Sequence, residues 1–202
     1  MSGRRDVVAF VAAFALALAG CGSSLPATRF YQLAAPAPGA TGGGGAVLVL
    51  EPLSTDGGYD DERMVYRISP YRLDYYQYHR WSAPPGVLVG GFLEAALGAG
   101  GLAVVRAGDV DAPLVLGGRV IAIEEVDQAP TRWAGRIAVA FALRDRTGAV
   151  VWSGRYDEVE PMTAQDPEGL ARALTAALGR IVAKVGPAVV EAVAKRPTVA
   201  GP

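Results

Sequence analysis

The sequence predicts an α+β (or α/β) chain: one compact domain in which a mixed, largely antiparallel sheet packs against two main helices. Three observations carry this. Residues 114–159 alternate apolar and polar or small side chains through a central turn, the pattern of an antiparallel meander. Leu170, Leu174, Leu178, Ile181 and Val185 step by four, four, three and four, one stripe of a long amphipathic helix. A second helical period follows Pro84-Pro85, where Leu88, Phe92, Ala95 and Ala96 share a face.

The elements follow in chain order. Val7 to Ala19 is an uninterrupted apolar run preceded by Arg4 and Arg5 and followed by Gly20 and Cys21. A basic start, a short apolar stretch and a small-residue cleavage site make an export signal. As a helix the run is about 20 Å long, too short for a hydrocarbon layer of roughly 30 Å. Leu18-Ala19-Gly20-Cys21 is similar to the lipobox of bacterial lipoproteins, in which cleavage leaves an acylated cysteine as the new N-terminus. Cys21 is the single cysteine of the chain, so no intrachain disulfide is available. No residue of the mature chain then keeps a free thiol. Gly22 and Ser23 follow it rather than an Asp. By the enterobacterial sorting rule this resembles outer-membrane lipoproteins, the periplasmic face of the inner membrane being the other location.

Residues 29–33 are a candidate first strand, and Ala35 to Gly45 is a Pro, Gly and Ala linker too poor in side chains to pack. Ala46 to Leu53 is an apolar, β-branched run of strand length, and Ser54 to Glu62 reads as an exposed loop. Arg63–Ile68 and Arg72–Tyr78 are strands on either side of Ser69-Pro70-Tyr71, with Met64, Tyr66 and Ile68 on one face of the first. The prolines before Val87 suit a first helical turn, and Gly98, Gly100 and Gly101 stop that helix. Leu102–Val105 is a short strand, and 109–113 a turn. Leu114–Val126 is one long strand or a bulged one, with Gly117-Gly118 marking a bend. Asp166-Pro167-Glu168 is a helix start, with a capping carboxylate, a proline in the first turn and an acid near the positive end of the dipole. Gly186-Pro187 ends that helix, and 188–195 form a last short one. The domain reading is therefore signal 1–20, lipidated tether with first strand and linker 21–45, the rest of the α+β domain 46–195, and a disordered tail 196–202.

Composition excludes several functions. The formal charge is −1, and removal of Arg4, Arg5 and Asp6 leaves about −2, with no basic footprint for nucleic acid. After Cys21 no segment approaches 18 apolar residues without a charge, so no membrane-spanning helix is expected. His79 is the single histidine, set among aromatic and charged residues, and no G-x-S-x-G elbow supplies a nucleophile. Asp60, Asp61 and Glu62, and Glu124, Glu125 and Asp127, lack calcium-loop spacing and read as a solvated loop and a strand end. The glycine run at 42–45 lacks the Lys and Ser/Thr of a phosphate loop. Catalytic and metal sites are thus expected to be absent, with no cofactor beyond a covalent lipid on Cys21. What remains is an interaction surface. Tyr66, Tyr71, Tyr75, Tyr76, Tyr78 and Trp81 alternate with Arg63, Arg67, Arg72 and Arg80, the residue types enriched at protein interfaces. Arg67, Tyr71, Tyr75, Tyr76, Tyr78, Arg80 and Trp81 are the candidate partner-facing residues, and about half of the aromatics are expected in the core.

The lipobox, the Phe30-Tyr31-Gln32-Leu33 segment, the Arg and Tyr hairpin and Trp81 with Pro84-Pro85 resemble the ABC-type transport auxiliary lipoproteins of the paraquat-inducible protein C type. The meander with Trp152 and the long last helix extend the likeness over nearly all the mature chain. The resemblance implies a compact α/β or α+β lipoprotein facing the periplasm in a lipid-trafficking system. Its partners would be an ABC permease and ATPase and a protein with a mammalian-cell-entry domain, on which related proteins can assemble as homo-oligomeric rings. The expected role is a non-enzymatic adaptor docking the transport assembly at the outer membrane. The alternatives are a lipid-binding module with an apolar cavity, then an esterase resting on His79, and last a structural envelope lipoprotein.

Overall fold

The computed structural model describes residues 25–36, 47–106, 113–129 and 132–195. The export signal, Leu18, Ala19, Gly20, Cys21, most of the linker, residues 109–112 of the expected turn and the tail 196–202 lie outside the described residues.

Strand β7 (Leu114–Ala129) is the spine of the sheet. Along one edge runs β8 (Arg132–Asp145), antiparallel from Leu114 opposite Asp145 to Ala129 opposite Arg132, and β9 (Val150–Pro161) lies antiparallel outside it. Along its other edge β7 takes three strands end to end, all parallel to it. They are β2 (Val47–Leu50), β3 (Ser54–Thr55) and β4 (Arg63–Ser69). β6 (Ala103–Arg106) adds in parallel outside β2. β5 (Arg72–Trp81) pairs antiparallel with β4, and β1 (Arg29–Tyr31) lies parallel outside β5. The long ladders are antiparallel and the short ones parallel, so the sheet is the mixed, largely antiparallel one expected. With α1 (Pro85–Ala99) and α2 (Pro167–Ala194) packed on it, the domain is α+β.

A bulge sets the faces of the spine. Val120 pairs with Val139 and Ala122 with Ala138, so Ile121 is an extra residue. The parity of the strand flips there, and Ile123 rather than Ala122 follows Val120 onto the helix-covered face. The expected bend at Gly117-Gly118 is therefore a bulge a few residues later. Those glycines answer to close packing instead, since a Cβ on Gly118 would lie 2.6 Å from the Ala140 carbonyl oxygen. A second bulge, between Arg63 and Val65, buries both Met64 and Val65 and breaks the simple two-face alternation expected of β4.

Three further expectations are corrected. Residues 54–62 are not an exposed loop: Ser54–Thr55 join the sheet, and Gly57–Tyr59 form a 3-10 turn with Tyr59 buried. Gly98 stays inside α1, whose end is Gly100, with Gly101 at φ +92°. Pro187 does not end the last helix. Asp166 caps α2 by accepting from Gly169 N at 2.6 Å, and the helix runs unbroken to Ala194 with Pro187 inside. An interior proline costs roughly 3 kcal/mol. Val189 and Val193 continue the stripe in steps of four and are buried, which at about 1.5–3 kcal/mol per side chain outweighs that cost. By length and composition α2 could cross a membrane. Its stripe is instead packed on the sheet, while Arg180 and Lys184 bind Glu158 and Arg180 also binds Glu160 of β9.

Candidate functional site

The polar centre of the domain is built where β4, β7 and β8 meet. Glu124 and Glu125 are neighbours on β7, so their side chains point to opposite faces. Neither is solvated: Glu124 is 0% and Glu125 3% exposed, which corrects the expectation of a strand end in water. Glu124 Oε2 accepts from the Tyr59 hydroxyl at 2.6 Å and from Arg67 Nε at 2.8 Å, and its Oε1 accepts from Arg136 Nη1 at 2.8 Å. Arg136 is the direct register partner of Glu124 on β8 and also forks onto Asp157, at 2.9 and 2.6 Å. Arg67 Nη2 in turn donates to the Tyr59 hydroxyl at 2.8 Å, closing a ring of three side chains. Burial, together with the Glu124 carboxylate beside it, pushes the Tyr59 phenol up to about 12.

On the other face Glu125 lies opposite Gly135, which has no side chain and over which Ala173 and Leu174 of α2 pack. Tyr76 donates to Glu125 Oε2 at 2.9 Å. Burial raises the Glu125 carboxyl above its ordinary 4.5; the Tyr76 hydrogen bond opposes this and Asp127 adds to it. The Tyr76 ring meets Tyr66 at 5.1 Å and the edge of His79 at 5.6 Å between centroids. His79 Nδ1 lies 2.9 Å from the Tyr31 hydroxyl, so the histidine is part of the seam between β1 and β5.

The residues expected on a partner surface therefore separate. Trp81 is 1% exposed and belongs to the core, its indole N–H without a hydrogen-bond partner among the described residues. It leaves the candidate surface because β5 continues through it and carries its ring inward. Arg67 and Tyr76 are committed to Glu124 and Glu125. Tyr75 stays half-buried, under the Arg63 guanidinium at 4.2 Å and donating to the Gly58 carbonyl at 2.9 Å. Tyr78 and Arg80 are half-buried on β5, Arg80 with Asp61 at 3.8 Å. Tyr71, at the closed end of the hairpin, is 98% exposed. Sequence reasoning missed Tyr59, Arg136 and Asp157. The available signal was two adjacent acids inside an apolar strand, with an arginine facing them across the predicted hairpin.

Chemically the arrangement holds charge rather than moving it. Glu124 is compensated by two guanidinium groups, and no cluster of three His, Cys, Asp or Glu able to hold a metal occurs among the described residues. Asp61, from the acidic run at 60–62, is tied to Arg63 at 2.8 Å. A mostly apolar groove of about 320 Å³ lies between α1 and the chain leaving β2, with Leu50, Pro52, Leu53 and Val87 on its walls and Glu51 and the Glu94–Arg106 ion pair also lining it.

A family model described as the ABC-type transport auxiliary lipoprotein component matches residues 31–186. No curated protein matches the chain by sequence. Among solved structures, protein XCC0632 from Xanthomonas campestris is similar at 18% identity, covering 81% of this chain and 95% of that one, with a TM-score of 0.69. An uncharacterized protein is similar at 14% identity, with 81% and 99% covered and a TM-score of 0.68. The hypothetical protein CT253 from Chlamydia trachomatis is similar at 9% identity, with 76% and 100% covered and a TM-score of 0.52. At these identities the likeness is one of fold.

Proposed function

Since the chain belongs to the ABC-type transport auxiliary lipoprotein family, we propose that it is the accessory lipoprotein of a lipid transporter and docks a mammalian-cell-entry domain protein at the outer membrane. As a member it is a lipid-anchored component of the outer membrane and periplasm, and its role is non-enzymatic. The observation that carries the reading is the extent of the match, 31–186, which takes in the folded body from the end of β1 through most of α2. In this reading Cys21 is the acylated residue, with Leu18, Ala19 and Gly20 completing its lipobox. More than one acyl chain would be needed for durable attachment. Copies would assemble as a ring on the partner.

The partner-facing surface we assign to Tyr75, Tyr78 and Arg80 on β5. These are half-exposed groups with apolar bodies and polar ends, the kind that bury area at a protein interface. A photo-crosslinking amino acid at Tyr78 in the lipidated protein tests this in envelope membranes. The expected adduct contains the mammalian-cell-entry domain protein. Substituting Arg80→Ala in the same chain should abolish it without moving the melting temperature. Adducts with unrelated envelope proteins alone would refute the docking role.

One observation favours a second reading. The apolar groove between α1 and the chain leaving β2 has a volume in the range that encloses part of a lipid. Phospholipid retained through purification and lost in a Val87→Asp variant would favour direct cargo binding.

A further inference from the structure

We propose that the closed end of the β4–β5 hairpin, Ile68 to Arg72, rests on the phospholipid surface that holds the acyl chains of Cys21. The inference deepens the reading above and rests on acylation at that residue. β1 is parallel to β5, with Arg29 beside His79 and Tyr31 beside Trp81. Followed backwards from Arg29, the chain therefore leaves β1 in the direction of the closed end of the hairpin, and residues 25–28 are exposed.

Reach narrows the geometry. From Arg29 back to Cys21 an extended chain spans at most about 28 Å. From the level of His79 to Arg72 the hairpin extends about 17 Å towards its closed end, taken along β4 because β5 carries extra residues between its pairings at Tyr75 and Arg80. A bilayer gripping Cys21 along this line then lies no more than about 11 Å beyond the tip. The opposite pole, where Leu114 faces Asp145, is about 30 Å away in the other direction along β7. To present that pole to the membrane, the tether would have to reverse and use its entire length.

The side chains at the tip suit the boundary between headgroups and acyl chains. Tyr71 is almost wholly in solvent, and Ile68 beside it is exposed although β-branched and apolar. Neither belongs to the hydrophobic core or to the half-buried side chains packed against it. Arg72 is held at 2.7 Å from Asp74, its guanidinium largely outside. A ring with a polar end and a long basic side chain that can lift its charge to the headgroups are the residues that line membrane interfaces. An exposed Tyr or Ile singly would need no explanation. Both sit at the pole towards which β1, followed backwards from Arg29, is directed.

The test uses the mature lipidated chain on vesicles of phosphatidylethanolamine and phosphatidylglycerol. Acylation takes up the thiol of Cys21, the single cysteine, so a nitroxide can be placed on Tyr71→Cys or, with Tyr71 intact, on Ile68→Cys. Val150→Cys, exposed at the opposite pole, is the control. The expected result at the tip is loss of collisions with a water-soluble nickel reagent and gain of collisions with oxygen, with the control label remaining aqueous. Acylated, vesicle-bound protein whose tip labels are as open to nickel as the control would overturn the proposal and leave the lipid anchor standing. An unmodified Cys21 by mass spectrometry would overturn both.

Discussion

Glu124 lies between the guanidinium groups of Arg67 and Arg136 with the Tyr59 hydroxyl on the same oxygen as Arg67, and no part of it reaches water. Its burial is tolerable because each oxygen is hydrogen-bonded and its charge is compensated. Removing it takes the carboxylate from between two partly buried guanidinium groups, Arg136 keeping Asp157 and Arg67 keeping Tyr59, so Glu124→Ala should destabilise the domain by about 3 kcal/mol in urea unfolding. Tyr59→Phe, which deletes one hydroxyl from the ring, should cost nearer 1 kcal/mol. Glu125 behaves differently, because what faces it is a phenol and not a cation. A carboxyl whose native value is raised binds its proton more tightly folded than unfolded. Its contribution is therefore complete below about 4.5 and is lost as pH rises through the native value. Glu125→Gln keeps an acceptor for Tyr76 and removes the titration. The variant should gain on the wild type as pH is raised above 4.5 and run parallel to it below. Unfolding curves across pH decide this, and parallel curves throughout would refute it.

At the scale of the element, α1 shows how much of a helix's composition packing explains. A Cβ on Gly86 would lie 2.3 Å from the Leu53 carbonyl oxygen, so this glycine is what lets the helix approach the chain leaving β2. Gly90, one turn on, would meet nothing within 4 Å. Gly86→Ala should therefore lose roughly 1–3 kcal/mol by overpacking, and Gly90→Ala should gain about 1 kcal/mol from helix propensity. Thermal unfolding of the two variants should move in opposite directions. If Gly90→Ala stabilises the protein and also impairs retention of phospholipid, the open groove beside it is in use. α2 shows the converse case. A local rule, proline as terminator, fails against a stripe of buried valines that needs the helix to continue.

For the whole molecule, the order of strands sets which parts open first. β7 is hydrogen-bonded on both edges and β8 lies between two strands, whereas β1 and β6 are short and stand at the ends of the path. Hydrogen exchange should be slowest at residues 137–139, buried and paired on both sides, and fastest in β1 and β6. Slow exchange in β1 without membrane or partner would contradict this ranking. The same topology points β1, followed backwards from Arg29, towards the closed end of the hairpin, whereas Tyr78 and Arg80 of the assigned surface lie near the other end of β5.

Residue patterns alone were enough for the meander, the start of each helix, the stripe of α2, the Arg and Tyr hairpin and the family. Each depends on neighbours a few positions apart, and local periodicity and capping chemistry are written in that order along the chain. The parallel edge of β7, the parity change at Ile121, the burial of Glu124 and the inward turn of Trp81 were decided only in three dimensions. Each depends on which distant strand arrives alongside: Arg67 and Tyr59 reach Glu124 across more than fifty residues of chain. An acid reads as solvated until its counter-charges are brought to it, and an aromatic reads as a surface group until a sheet closes over it. That is why the candidate interface narrowed from seven residues to those the core did not claim.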